Sequence, residues 1–139
     1  MFTTFCKNAI VPVLLRLALA AIFIYHGLDL VGGADKEWGA RWYTGENAPG
    51  APVQLAVAWG ELIGGIALAF GFLTRLAAAG IIAIMAGAIA TVHWPHGFDI
   101  RQHGYEYNVA IIAMALCLIL SGPGPFAVDR LFRFRRRTT

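Results

Sequence analysis

The chain has 139 residues, 58% of them hydrophobic and 14% charged, with a mean hydropathy of +0.64 and a formal net charge of +3. Soluble domains carry about 25% charged residues, so this chain has too little polar surface to cover its apolar side chains in water. A water-soluble enzyme domain and a nucleic-acid-binding module are thereby excluded. What is left is a single integral membrane domain, residues 1–132, with a short basic tail at 133–139.

The first apolar segment runs from Pro12 to Gly27. Lys7 followed by an apolar run imitates a secretory signal peptide, but Arg16 interrupts that run, and the segment reads as a retained membrane helix. Pro12 is tolerated because the N–H groups of a first turn have no helical partner. The loop "ADKEWGARWY" then spaces Trp38 and Trp42 four residues apart, on one face of a short interfacial helix. "GENAPGAP" after it is turn and linker.

The second segment runs from Pro52 to Phe72 and the third from Arg75 to His93. "GFLTR" between them is too tight for anything except an antiparallel helical hairpin. The fourth, Glu106 to Gly122, is short and is stopped by "GPGP". Each segment is near the length of about 20 residues that a bilayer helix needs. The expected fold is all-α, an antiparallel four-helix membrane bundle. Ala56, Gly60 and Gly64 recur every four positions, as do Ala79, Ala83, Gly87 and Thr91, and both series are expected at helix–helix contacts.

Basic residues orient the chain. With both termini in the cytoplasm, Lys7, Arg75, Arg130, Arg133, Arg135, Arg136 and Arg137 are inside, against Lys36, Arg41 and Arg101 outside. Arg16 is embedded and close enough to the inner headgroups to reach them. Trp38, Trp42, Trp59 and Trp94 all fall towards the outer half, where indole rings favour the interface. The bacterial inner membrane is the expected location. Cys6 and Cys117 lie too far apart to suggest a dithiol centre.

One ionisable group on each segment falls at similar depth. At about 1.5 Å per residue, His26 is roughly 21 Å above Pro12, Glu61 about 17 Å above Phe72, His93 about 27 Å above Arg75 and Glu106 about 24 Å above Gly122. A charge in hydrocarbon costs at least about 2.5–3.5 kcal/mol, so such groups turn towards partners or water. Glu61 is therefore expected to point inward and bond to His26, with Tyr25, Trp59, Tyr107 and Asn108 lining the same outer-half pocket. Two of these have a plain structural alternative: Glu61 as a clamp between helices, and Glu106 as an acid favoured by the dipole of a first turn. His93, His96 and His103 invite a metal, but Pro95 breaks the helix between the first two, and no metal site is expected.

In this order the segments resemble the DoxX family of small bacterial four-helix membrane proteins. The resemblance rests on "FIYHGLDLVGG", "GELIGGIALAFGFLTRLAA", "AIATVHWPHGF" and "GYEYNVAIIAMALCLILSGPGPFAVD", and covers residues 13–132. It singles out Gly27, Glu61, Gly65, Arg75, His93, Gly97, Glu106, Tyr107, Gly122, Pro123, Gly124 and Asp129. Relatives often carry a Lys three residues after Gly27, where this chain has Leu30. The resemblance implies association with redox or sulfur metabolism, since the family name comes from a subunit linked to thiosulfate:quinone oxidoreductase.

The leading expectation is a membrane subunit of a quinone-linked redox system. In it His26 or His93 binds a quinone carbonyl, and Glu61 or Glu106 handles the coupled proton. The sequence shows no haem fingerprint, flavin site or dithiol, so electrons would come from a soluble or membrane oxidoreductase partner. The alternative is a non-enzymatic assembly or interaction partner of a redox complex. Besides membrane lipid, a second copy of the chain is a further candidate partner; nucleic acid is not.

Overall fold

Inside a bilayer no water satisfies the backbone, and a chain this apolar takes the helical solution. The computed structural model describes residues 9–45 and 48–130. Four helices carry it: α1 (Val11–Val31), α2 (Ala51–Phe70), α3 (Thr74–Ala88) and α4 (Glu106–Ser121). The described residues contain no strand. Cys6, Lys7 and the expected tail at 133–139 lie outside the described residues, as do positions 46 and 47 of the linker.

α1, α2 and the stretch Thr74–His96 are long and apolar enough to cross a membrane, whereas α4 has 16 residues. At about 24 Å it falls short of a hydrocarbon core of about 30 Å. α1 continues a turn past the expected end at Gly27, because "LDLV" contains no breaker before Gly32. The third segment does not stop at His93 but changes pitch. Beyond Ala88 it widens into a π turn, Ile89–His93, and then tightens into a 3-10 turn, Trp94–His96. Pro95 has no N–H and would collide with the carbonyl one turn earlier, so the helix adjusts ahead of it.

One buried cluster draws on all four helices: Leu19, Ala20 and Phe23 from α1, Leu68 from α2, Ala78, Ile81 and Met85 from α3, and Ile111, Ala115 and Leu118 from α4. The closest pairings are α1 with α2 and α3 with α4. α1 meets α2 through glycine. A methyl group on Gly27 would lie 2.5 Å from the backbone nitrogen of Leu62, and one on Gly65 would lie 2.8 Å from that of Ile24. Such backbone-to-backbone approach is how helices associate in lipid, where apolar side chains gain nothing by leaving the acyl chains.

Of the two small-residue series read from the sequence, only Gly60 lies at a helix contact, where a methyl would stand 3.3 Å from Ile84 of α3. Ala79, Ala83, Gly87 and Thr91 all face outward, and a methyl on Gly64 or Gly87 would meet nothing within 4 Å. The reason is phase: α3 buries Thr74, Ala78, Ile81 and Met85, one or two positions away from the small-residue stripe.

Arg16 is buried, at 3% exposure, and does not reach for the headgroups. Its Nε donates to the Leu68 carbonyl at 2.9 Å and its Nη2 to that of Ala69 at 3.0 Å. Its Nη1 donates to the carbonyls of Pro123 at 2.9 Å and Phe126 at 3.1 Å. Leu68 and Ala69 sit in the last turn of α2, where carbonyls lack intrahelical donors and the helix dipole is negative. The α2–α3 turn is held from the other side by Asp129. Its carboxylate accepts from the amides of Leu73 at 2.6 Å and Thr74 at 2.9 Å, and its own N–H donates to the Gly71 carbonyl. Gly71 has φ +67°, and a methyl there would stand 2.6 Å from the Arg16 guanidinium carbon.

The long loop after α1 is stapled by Gln54, buried at the start of α2. Its Oε1 accepts from the Tyr43 N–H, and its Nε2 donates to the carbonyls of Tyr43 and Pro49. Ala34–Gly39 forms a 3-10 turn kinked by left-handed Glu37 and Trp38, not the regular helix expected there. Trp38 and Trp42 consequently share no face: Trp38 is exposed, and Trp42 donates to the Gln54 carbonyl.

Arg16→Met should lower unfolding stability in detergent by about 3 kcal/mol or more, because four buried carbonyls lose their donor. Gly71→Ala should be destabilising too, through its φ and the contact with Arg16. Thermal unfolding of the purified variants checks both. Gln54→Leu should leave the four helices intact while amide exchange in residues 40–50 accelerates.

Candidate functional site

Glu61 lies on the face of α2 that also buries Ala58, Leu62 and Gly65. It is 7% exposed, and its Oε2 is buried with no hydrogen-bond partner. The inward turn expected of it is therefore observed, but the bond to His26 is not formed. His26 is exposed on α1, edge-on to the Tyr25 ring at 5.5 Å between centroids. Tyr25 is 72% exposed. Both rings point away from the interior that holds Glu61. The buried face of α1 carries Arg16, Leu19, Phe23, Gly27 and Val31, and a residue beside Gly27 is rotated about 100° away from that face.

Tyr107, in the first turn of α4, lies within electrostatic reach of the Glu61 carboxylate, although α2 and α4 are not a closely packed pair. Tyr107 is 39% exposed. Asn108, next to it, is buried, and its Nδ2 donates to the Met85 thioether at 3.4 Å. A thioether is a weak acceptor. Two polar side chains, Glu61 and Asn108, are thus buried at this end with poor or no partners.

The other expected residues are placed around the rim. Trp59 is partly exposed and donates from Nε1 to the Trp38 carbonyl at 3.0 Å. His93 is half-buried at the π turn, with Nδ1 2.6 Å from the His103 carbonyl. A carbonyl only accepts, so Nδ1 carries a proton. Glu106 opens α4, where the dipole favours an acid, and it acts electrostatically on Arg101. The loop between is packed by Tyr105, which stacks on Trp94 at 5.7 Å and meets Phe98 edge-on at 5.6 Å. His96 and His103 approach to 6.3 Å between ring centroids. Among the described residues no three His, Cys, Asp or Glu side chains gather as a metal site would require.

Sequence reasoning gave Arg16 the wrong direction and passed over Gln54 and Thr74. The signal for Arg16 was its depth, level with the last turn of α2, whose carbonyls need donors. For Gln54 it was an amide one turn into an apolar helix after a long loop.

The sequence pattern of the DoxX family matches residues 11–94, which span α1, α2 and the stretch to Trp94. The chain belongs to the DoxX family. An uncharacterized protein of Haemophilus influenzae is 30% identical over 125 residues, covering 86% of this chain and 82% of the relative. No solved structure matches. Within the matched DoxX residues lie Gly27, Glu61, Gly65, Arg75 and His93, while Glu106, Tyr107 and the "GPG" turn lie beyond them.

Asp99 anchors the loop between α3 and α4 by accepting from the Arg101 guanidinium and backbone N–H. Those two bonds hold its carboxyl below the ordinary aspartate value. A lowered pKa means the bonds support the loop at neutral pH and are lost as pH falls through that depressed value. NMR titration should give Asp99 a midpoint below that of an unrestrained aspartate, returning towards it in Arg101→Ala.

Proposed function

We propose that this DoxX protein is the membrane subunit of a quinone-linked redox system, with Glu61 as its proton-handling group. In this reading the helices form an antiparallel four-helix bundle in the bacterial inner membrane, with both termini in the cytoplasm. The seven basic residues on that side against three on the other support the orientation.

The observation that carries the function is Glu61 itself: a carboxyl in a membrane-spanning helix, buried, with Oε2 unpartnered. Intramembrane carboxylates that serve as structural clamps bond to the helix they clamp. This one has no hydrogen-bond partner at Oε2 among the described residues. A quinone, once bound, accepts two electrons and two protons. Tyr107 presents its exposed edge to the bilayer, orients a polar head by its hydroxyl, and excludes water from the carboxyl behind it. Glu61 holds the proton at Oε2. Tyr25 and His26, on the outer face of α1, are lipid-facing and act, if at all, where a head group approaches. Electrons come from an oxidoreductase partner.

One observation favours a second reading, in which the protein only assembles a redox complex. Ala79, Ala83 and Gly87 leave α3 with an outward face on which another helix could seat closely. Glu61→Gln separates the two. The protein would be purified gently with its partner, and reduction of a short-chain quinone measured. The first reading predicts wild-type folding and partner yield with a rate lowered about 100-fold, the scale of a lost general acid–base group. An unchanged rate assigns Glu61 to structure and the protein to assembly.

A further inference from the structure

A cavity lies at the opposite end from Glu61. It is a groove of about 410 Å³ between the start of α3 and the turn that follows α4, and Thr74, Arg75, Leu76, Ser121, Gly122 and Arg130 line it. Two guanidiniums border it, from Arg75 and Arg130. Neither has an ion pair among the described residues. The Arg75 group is laid along the turn, its Nη2 3.7 Å from where a methyl on Gly122 would be.

Asp129 also lines the groove but does not neutralise it. Both its oxygens are turned to the amides of Leu73 and Thr74, and the buried Arg16 acts on it from behind. A second observation points to a ligand. Thr74 is fully buried, lines the groove, and has an Oγ1 without any hydrogen-bond partner. A buried hydroxyl left without a partner is costly, and a ligand acceptor would recover that cost.

We propose that this groove binds the phosphate of an anionic phospholipid. Two guanidiniums and a hydroxyl suit a phosphate oxygen set, since charge-assisted bonds from arginine are strong and geometrically matched to it. The surroundings specify a lipid over a soluble ion. Leu76, which lines the groove, and Leu120, next to Ser121 of its lining, are strongly exposed, where acyl chains attached to the same phosphate would run. The volume also exceeds what an isolated phosphate would fill.

The test uses the full chain in an uncharged detergent, with thermal unfolding and native mass spectrometry as readouts. Phosphatidylglycerol should raise the unfolding temperature and stay bound, whereas phosphatidylcholine and inorganic phosphate should do neither. Arg75→Gln/Arg130→Gln should weaken the phosphatidylglycerol response about tenfold or more, at about a factor of five per surface arginine. Thr74→Val is the second variant. It should be as stable as wild type or more so without lipid, yet respond less to phosphatidylglycerol. An equal response to phosphatidylcholine or inorganic phosphate overturns the lipid assignment, and so does an undiminished response in the folded variants.

Discussion

A guanidinium that can be neither deprotonated nor left bare in hydrocarbon organises one end of this protein. Arg16 has to be given acceptors, and the fold gives it four carbonyls from two places far apart in sequence. Two belong to the last turn of α2, where the peptide dipoles leave partial negative charge. Two belong to the turn after α4. Because Asp129, a few residues on, caps the start of α3, a single side chain on α1 is coupled to the ends of the other three helices. The geometry is demanding: Gly71 must have φ +67° and no side chain, so that the turn can close over the guanidinium. Once these conditions are met, the relative heights of the helices are set.

The loop end is held differently. Its loops rest on Gln54, on aromatic stacking and on the Asp99–Arg101 pair, most of it exposed. Here too the backbone departs from regular form, with left-handed Glu37 and Trp38 and a π turn leading to His93. Departures of this kind cluster at functional sites. The Arg16 guanidinium is fully satisfied, whereas among the described residues each end keeps one buried polar atom without a partner, Glu61 Oε2 here and Thr74 Oγ1 beside the Arg16 network, and Asn108 has only a thioether.

How much of this was legible in the sequence depends on which coordinate is asked for. Height along a helix follows from counting residues, so the four helices and the inward turn of Glu61 could be read. Azimuth follows from the buried face, which requires knowing which neighbours are close. His26 has the right height and the wrong azimuth; so does the Ala79–Thr91 stripe. The face of α1 was nonetheless encoded, since Arg16, Leu19, Phe23 and Gly27 recur at helical spacing. That an arginine would bond to backbone carbonyls leaves no mark in side-chain patterns, and only the height of Arg16, level with the last turn of α2, pointed to it. The Trp38–Trp42 pair failed for a related reason, because helical spacing has meaning only where the backbone is helical.

The glycine seam accounts for the solitude of Glu61. With Gly27 pressed against the backbone of Leu62, α1 has no side chain to offer at this level, and the same contact rotates His26 outward. Gly65 repeats the arrangement one turn along α2, against Ile24. α1 therefore covers the α2 face beside the carboxyl without supplying a donor. Any partner must come from elsewhere in the fold, where Tyr107 stands within electrostatic reach, or from outside the chain. A clamp would have needed a donor on the nearest helix, and the packing that brings that helix nearest is what removes it.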